Sequence, residues 1–358
     1  MPELQNPIVN SRTIARSAND AAPDVRPGLG SFVQSDPQDR PRVSVVIVTY
    51  GSSNELPDCL DGLLKQPVSL EVFLVDNASP DDTPQRVTDY ARNIENVHAI
   101  LNSQNEGLAA GNNVPKEMCQ GDYVLMLNPD TVFRDDSLAR MVDFLDKNPD
   151  IGVVGPRNVY PDGSTHSSCG QKWGLLEVFM WRVLPYRIPR LLHDRIYPSR
   201  QQDVLFVSGS CLLIRRAIFN EIGGYDPEYF LCIEDVCDLC MRARETGHRV
   251  VFLPDLRVVH LTGRSAVQAP YIVVWHGNRG TIYHFLKHKG VAHALLVSSI
   301  LGLAALARVG IASVAGLFSR KYRAIARIYA RVFWSILTKN PIRIRSWRSP
   351  GSGSPTTA

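Results

Sequence analysis

Apolar residues in the first half of the chain come in short unbroken runs separated by segments of helical period. Val43-Ser44-Val45-Val46-Ile47-Val48-Thr49-Tyr50 is almost entirely β-branched, the composition of a strand buried on both faces. Gly51-Ser52-Ser53-Asn54 breaks that run. Leu56, Leu60, Leu63 and Leu64 then recur at helical spacing, with Ser53 or Asn54 as the expected cap. Further strands are expected at Leu70–Val75, Val97–Leu101, Val124–Leu127 and Ile151–Gly155. Helices are expected from Asp82 to Ala91 and from about Asp136 to Lys147, the latter capped by Asp135 or Asp136. This alternation predicts an α/β domain: a mostly parallel sheet flanked by helices.

Three of these strands end on polar residues: Thr49-Tyr50, Asp76-Asn77 and Asn128-Pro129-Asp130. In a parallel sheet they fall along one edge, where α/β proteins bind ligands. Pro129 lacks an amide proton and fixes its own φ, so the strand stops there. Asn128 and Asp130 are then held at its carboxyl end, and together they offer hard oxygen ligands for Mg²⁺ or Mn²⁺. The plainer alternative is a strand-ending turn, since Asn, Pro and Asp all favour turns. No Gly-x-Gly-x-x-Gly follows the first strand, and no Gly-Lys-Ser/Thr loop occurs. Those absences disfavour a dinucleotide oxidoreductase and a P-loop enzyme. The residues themselves point to a nucleotide- or phosphate-binding edge, without naming a reaction.

The pattern changes between residues 171 and 203. Aromatic and aliphatic residues from Trp173 to Leu192 mix with Arg182, Arg187, Arg190, Arg195 and Arg200. This is either a lid packed on the core or a lip that meets lipid or a lipid-borne acceptor. Asp203 to Arg216 returns to a strand or hairpin. Glu234-Asp235-Val236-Cys237-Asp238 then sets three carboxylates in five residues. Acids favour helix starts, but a carboxylate aimed into a cleft also serves as a general base. Strands are expected at Val250–Pro254 and again up to His260, a histidine suited to a metal or phosphate contact. Cys232, Cys237 and Cys240 have the C-x4-C-x2-C spacing of a plant-type iron–sulfur loop. Helical character and neighbouring carboxylates favour buried thiols instead.

The chain has 358 residues and net charge +4, unevenly spread. From Val291 onward there are ten Lys/Arg and no acid, which leaves the first 290 residues at −6. Residues 294–318 are apolar and long enough to span a bilayer, but Arg308 in their midst is costly there. Arg320, Arg323, Arg327 and Arg331 then alternate with Ile325, Ile328, Val332 and Ile336, as in an amphipathic cationic helix. Trp334 and Trp347 suit an interface. The expected partner is an anionic membrane surface, not nucleic acid. The expected location is the cytoplasmic face of the inner or plasma membrane, in-plane or peripheral in preference to spanning. Residues 1–40 and 349–358 are expected to be disordered, the domain to span 41–290, and the membrane-associating helices 291–348.

Taken together, VSVVIVTYGSS, FLVDNAS, NEGLAAGNN, VLMLNPDT, SGSCLLIRR, IGGYDPEYF, IEDVCDLCMR and VVHLTGRS resemble a family 2 glycosyltransferase of the GT-A fold. The similarity covers roughly residues 43–290 and is greatest to rhamnosyltransferase-like enzymes of cell-surface polysaccharide assembly. It implies an inverting transfer from a nucleotide-diphosphate sugar to a lipid-linked or glycan acceptor, with Mg²⁺ or Mn²⁺ as cofactor. Thr49 and Tyr50 would line the nucleoside pocket and Asp76 would meet the base. Asn105, Gly111 and Asn112 would shape the sugar-nucleotide site. Asp130 matches the last residue of the family's Asp-x-Asp metal motif, Asn128 stands where its first Asp would be, and His260 would complete the metal site. Asp235 matches the catalytic base, with Glu234 beside it for the acceptor. One departure stands out: Cys237 is inserted before Asp238, which rotates either Asp238 or the Glu234-Asp235 pair by about 100° around a helix. Two rivals stay open: a sugar-nucleotide pyrophosphorylase, and a membrane-tethered scaffold descended from a transferase.

Overall fold

The computed structural model describes residues 13–15, 40–184, 198–231, 233–261, 270–339 and 341–346. Its strands, in chain order, are β1 (Thr13–Ala15), β2 (Val43–Thr49), β3 (Leu70–Asp76), β4 (Val97–Leu101), β5 (Tyr123–Leu127), β6 (Thr131–Val132), β7 (Ile151–Val159), β8 (Cys169–Gly170), β9 (Gln202–Asp203), β10 (Phe206–Val207), β11 (Cys211–Arg215) and β12 (Arg249–His260). The helices are α1 (Leu56–Leu64), α2 (Thr83–Asn93), α3 (Leu108–Asn113), α4 (Ser137–Lys147), α5 (Leu175–Val178), α6 (Arg216–Glu221), α7 (Ile233–Glu245), α8 (Pro270–Lys289), α9 (Val291–Gly316) and α10 (Arg320–Thr338).

One large sheet runs in the order β1-β4-β3-β2-β5-β11-β7-β12-β6, with β9 also on β12. Alternate residues of each strand serve opposite faces. Val43, Val45 and Ile47 pack with Leu56, Leu60 and Leu138 on one side. Val46 and Val48 pack with Leu239, Ile282 and Tyr283 on the other. Both faces are covered, which is why the β2 run reads as unbroken hydrophobe.

The boundaries of β4 and the placement of α2 and α4 match expectation to within two residues. Four features differ. The sheet is mostly, not wholly, parallel: β1 to β5 are parallel and β12 is parallel to β7, but β11 lies antiparallel between β5 and β7. Burial on both faces gives a strand the same composition in either direction, so the sequence carried no sign of the reversal. The two strands expected before His260 are one strand, irregular between Leu253 and Arg257 around Pro254. Neither Ser53 nor Asn54 caps α1; the Ser52 carbonyl accepts the amides of Glu55 and Leu56 instead. Within the lead, Thr13–Ala15 pairs parallel with β4. Open backbone groups on an edge strand recruit a partner whatever its side-chain pattern. The rest of residues 1–39, residues 185–197 of the insertion, Cys232, Trp347 and the tail from residue 349 lie outside the described residues.

Beyond the sheet, α9 and α10 form a hairpin packed on each other and on α8. α9 is long and apolar enough to cross a membrane. Leu296, Leu303, Leu306, Ile311 and Val314 are exposed along it, and Leu317 and Phe318 at the hairpin tip are the most exposed of all. Arg308 does not face outward: its guanidinium donates to the Ala304 and Arg182 carbonyls and sits 5.3 Å from the Tyr329 ring. On α10 Val332 and Ile336 are buried, while Arg320, Arg323, Arg327 and Arg331 are exposed.

Candidate active site

The carboxyl ends of β2, β3 and β5 form one edge, and each candidate there has a distinct environment. Asp76, at the end of β3, is 1% exposed. Its carboxylate accepts from Thr49 Oγ1 at 3.0 Å, from the Ser79 amide at 3.0 Å and from the Ser79 hydroxyl. Thr49 is fully buried and spends its hydroxyl on Asp76, whereas Tyr50 stands half-buried at the strand end.

Beside them, Asn102 Nδ2 donates to Asn77 Oδ1 (2.7 Å) and Asn77 Nδ2 to the Gly107 carbonyl (3.0 Å). Asn105 Oδ1 accepts the Gly107 amide at 3.0 Å. Gly107 has φ +91°, and a Cβ there would stand 2.5 Å from the Phe230 carbonyl; only glycine fits both conditions. A Cβ on Gly111 would reach 2.7 Å from Val48 Cγ1. Asn112 is buried and donates to the Leu108 carbonyl at 3.0 Å. Its neighbour Asn113 exchanges two hydrogen bonds with the Tyr225 backbone, at 2.7 and 2.8 Å, and ties α3 to the Gly223-Gly224 turn.

After Pro129 the chain enters β6, which pairs antiparallel with the end of β12 so that Thr131 opposes His260. The ladder continues through the Leu261 amide to the Asp130 carbonyl, 3.0 Å. It brings Asp130 Oδ1 to 3.2 Å from His260 Nε2, with both side chains mostly buried. His166 stands edge-on to His260, at 5.4 Å between ring centres. His260 Nδ1 is buried and has no partner among the described residues. These two donors fit a small divalent cation. Neighbouring ligands of an octahedral ion at about 2.1 Å lie about 3 Å apart. Among the described residues no third His, Cys, Asp or Glu joins them, which leaves remaining positions for diphosphate oxygens and water.

The Asn128 amide donates to the Ser210 carbonyl at 2.9 Å. The Ser208–Ser210 loop then runs straight against the start of α7: a Cβ on Gly209 would lie 3.7 Å from Val236 Cβ. Asn128, two residues before Asp130, and Val236, the residue after Asp235, thus touch the same short loop. Asp235 is 3% exposed and accepts the Val236 amide. Burial, and next the Asp235 charge, push the Tyr225 phenol up, so that ring stays neutral beside the carboxylate. Glu234 is fully buried and accepts from Arg182 at 3.2 Å and from Thr281 Oγ1.

Asp238 takes a different part. It is fully buried and bonds Arg242 (2.8 Å), Lys287 (2.6 Å) and His288 (2.8 Å). Arg242 in turn caps the Ile222 and Gly224 carbonyls. From Asp238 onward the rotation of α7 is fixed by these bonds, and Glu234 and Asp235 occupy its first turn. Burial pushes the Asp238 carboxyl up, but the His288, Arg242 and Lys287 contacts outweigh it and hold the group well below the usual carboxylate range. A depressed folded value means stability present above about pH 4, the unfolded value, and lost as pH falls toward the folded one. Asp238→Ala leaves the Arg242 guanidinium without its carboxylate and takes one acceptor each from Lys287, which keeps Asp226, and His288; we expect a loss of about 3–5 kcal/mol, checked by denaturant unfolding at pH 7, and a smaller loss near pH 3. Cys237 and Cys240 face the core, and burial pushes both thiols up.

Sequence reasoning missed Asn113, Arg182, the Ser208–Ser210 loop and the α8 residues Thr281, Lys287 and His288. Asn113 and the Ser208–Ser210 loop sit inside quoted motifs and were within reach. The others become site neighbours only through tertiary contact.

The chain matches the model of glycosyl transferase family 2 over residues 44–223. It is 32% identical over 286 residues, 73% of this chain and 90% of the relative, to the N-acetylglucosaminyl-diphospho-decaprenol L-rhamnosyltransferase of Mycobacterium tuberculosis. It is 24% identical to the rhamnosyltransferase WbbL of Escherichia coli, over 61% of this chain and 83% of the relative. Among solved structures it resembles a mannosyltransferase of Pyrobaculum calidifontis in complex with GDP-Man and Mn²⁺. There the TM-score is 0.50 at 21% identity, covering 85% of this chain and 89% of the other.

Proposed function

Because the chain belongs to glycosyl transferase family 2 and is a rhamnosyltransferase-like glycosyltransferase, we propose that it is an inverting, metal-dependent enzyme. It moves a sugar, rhamnose the first to test, from a nucleotide-diphosphate donor to a hydroxyl of a lipid-linked or glycan acceptor. The pyrophosphorylase alternative is dropped. The observation that carries this reading is the Asp130–His260 pair: Asp130 lies two residues after Asn128, whose amide bonds the loop that also reaches Val236 at the start of α7.

In this reading Asp76 offers its remaining lone pair to the base of the nucleotide, while Thr49 and Ser79 hold the carboxylate in its orientation. The Asn77–Asn102–Gly107 network holds the loop over the sugar nucleotide. Asp130 and His260 would hold Mg²⁺ or Mn²⁺. Such an ion, when bound, neutralises charge on the departing diphosphate. Asp235 takes the proton of the acceptor hydroxyl as its oxygen attacks the anomeric carbon in line. The carbon–diphosphate bond breaks, the nucleoside diphosphate leaves, and the proton stays on Asp235. The Mycobacterium tuberculosis relative is named for an N-acetylglucosaminyl-diphospho-decaprenol acceptor, and an acceptor of that class is the one to try first. A panel of nucleotide sugars with Mn²⁺, read by thermal shift and then by transfer, tests the reading. Turnover with none of them would leave the scaffold alternative in its place.

The hairpin of α9 and α10 gives such an acceptor a membrane to arrive from. With Arg308 turned inward, the exposed side of α9 is apolar, and the Arg residues of α10 suit anionic headgroups. We expect the full chain to float with phosphatidylglycerol vesicles and to stay bound in about 1 M salt, where screening shortens to roughly 3 Å. Leu317→Asp with Phe318→Asp should abolish the salt-resistant fraction; unchanged flotation of that variant would remove the hairpin tip from the contact.

A further inference from the structure

Arg182 has no task in the reading above, yet it stands where three elements meet. It lies in the single π-turn (Phe179–Val183) that follows α5 in the insertion. Its Nη2 donates to both oxygens of Glu234, at 3.2 and 3.3 Å, and lies 3.3 Å from Thr281 Oγ1 on α8. Thr281 donates to Glu234 as well. A Cβ on Gly277 would press to 3.2 Å from Arg182 Nη1, so the bare backbone of α8 makes room for the guanidinium. On the other side, the Arg182 carbonyl accepts from Arg308 of α9. Arg308 makes no ion pair among the described residues, although it sits in the middle of an apolar helix. Its bonds go to the Ala304 and Arg182 carbonyls and its guanidinium stacks over Tyr329. A continuous path of polar contacts therefore runs from the apolar hairpin through Arg308 and Arg182 to Glu234, the residue next to Asp235.

We propose that Arg182 is a positioning residue: it fixes Glu234, and through it the first turn of α7, against the hairpin that carries α9. Glu234 is fully buried, and leaving a buried carboxylate without a partner is costly. Arg182 is the only cation paired with it among the described residues. Without Arg182 the turn that bears Asp235 loses its anchor, while the Asp76 and Asp130 sites, on other elements, keep theirs. Docking of the insertion on α9 thus sets the acceptor half of the site and leaves the donor half alone. This inference rests on the reading of Asp235 as the base.

The test uses the full chain in detergent micelles with its best donor and a short-chain polyprenyl-diphosphate sugar as acceptor. Arg182→Gln is expected to lower kcat at least tenfold and to leave the affinity for nucleoside diphosphate with Mn²⁺ unchanged. Arg182→Lys, which keeps the charge and a donor, should recover most of that loss. Glu234→Gln should resemble Arg182→Gln, and the double variant should be no worse than the poorer single one, since both act through one contact. Arg308→Met should lower kcat in the same direction by less. Should Arg182→Gln fail to fold, Arg182→Lys and Arg308→Met carry the measurement. Additive losses, a fall in nucleoside diphosphate affinity, or unchanged kcat would overturn the inference. Asp235→Asn, measured alongside, separates the two readings. Full activity there with a non-additive Arg182–Glu234 pair sinks the base assignment alone. A dead Asp235→Asn with a wild-type-like Arg182→Gln sinks this inference alone.

Discussion

Asp235→Asn is expected to lower sugar transfer by about 10²–10⁴-fold, or about 3–5 kcal/mol of barrier, with donor binding intact. The substitution keeps the shape and one oxygen. The Val236 amide that Asp235 accepts retains an acceptor in the asparagine, so the first turn of α7 keeps its local bond. The fixed part of the helix begins at Asp238, held by Arg242, Lys287 and His288. Structure and donor site should therefore survive, and the loss should appear in kcat and not in the dissociation constant of the nucleoside diphosphate. That split matters because a structural defect would lower both. Transfer at the wild-type rate would remove Asp235 from the proton step, with Glu234 held in its ion pair with Arg182 and so poorly placed to replace it.

The donor half of the site was legible because its residues lie at strand ends, and strand ends are marked by local sequence. The β-branched run ending at Thr49, the Val75-Asp76 boundary and the Asn-Pro-Asp stop after Leu127 all appear where expected. Asp130 and His260 were each identified separately, but their meeting depends on the short β6–β12 pairing, a non-local register that two residues of strand cannot announce. The acceptor half was much less legible. The inserted Cys237 raised a question about helix rotation that spacing alone could not answer. The answer lies in Asp238, whose partners Lys287 and His288 come from α8, 50 residues away. Arg182 read as one of several basic residues in an amphipathic insertion. Its pairing with Glu234 exists only once the insertion is folded against α8 and α9. Arg308 illustrates the same limit: as sequence it argued against a bilayer span by α9, and as structure its guanidinium bonds protein carbonyls and leaves the outer side apolar.

Asp130→Ala is expected to weaken nucleoside diphosphate binding at least tenfold in Mn²⁺ and to change it little when the metal is chelated. The strand pairing that holds the site uses the Asp130 backbone carbonyl, not its side chain, so β6 and β12 should stay paired and the thermal midpoint should move little. What would be lost is the carboxylate, one of the two donors proposed for the ion. With asparagine at position 128 in place of a second carboxylate, no nearby acid stands in for it among the described residues. His260→Ala should weaken the same Mn²⁺-dependent binding, and the two substitutions together should cost less than their sum, because both remove ligands of one ion. Isothermal titration of nucleoside diphosphate with and without Mn²⁺ reads all of these directly and needs no acceptor. A wild-type affinity indifferent to Mn²⁺ would make the Asp130–His260 contact an ordinary buried pair, and catalysis would then have to neutralise the departing diphosphate with cations of the chain itself.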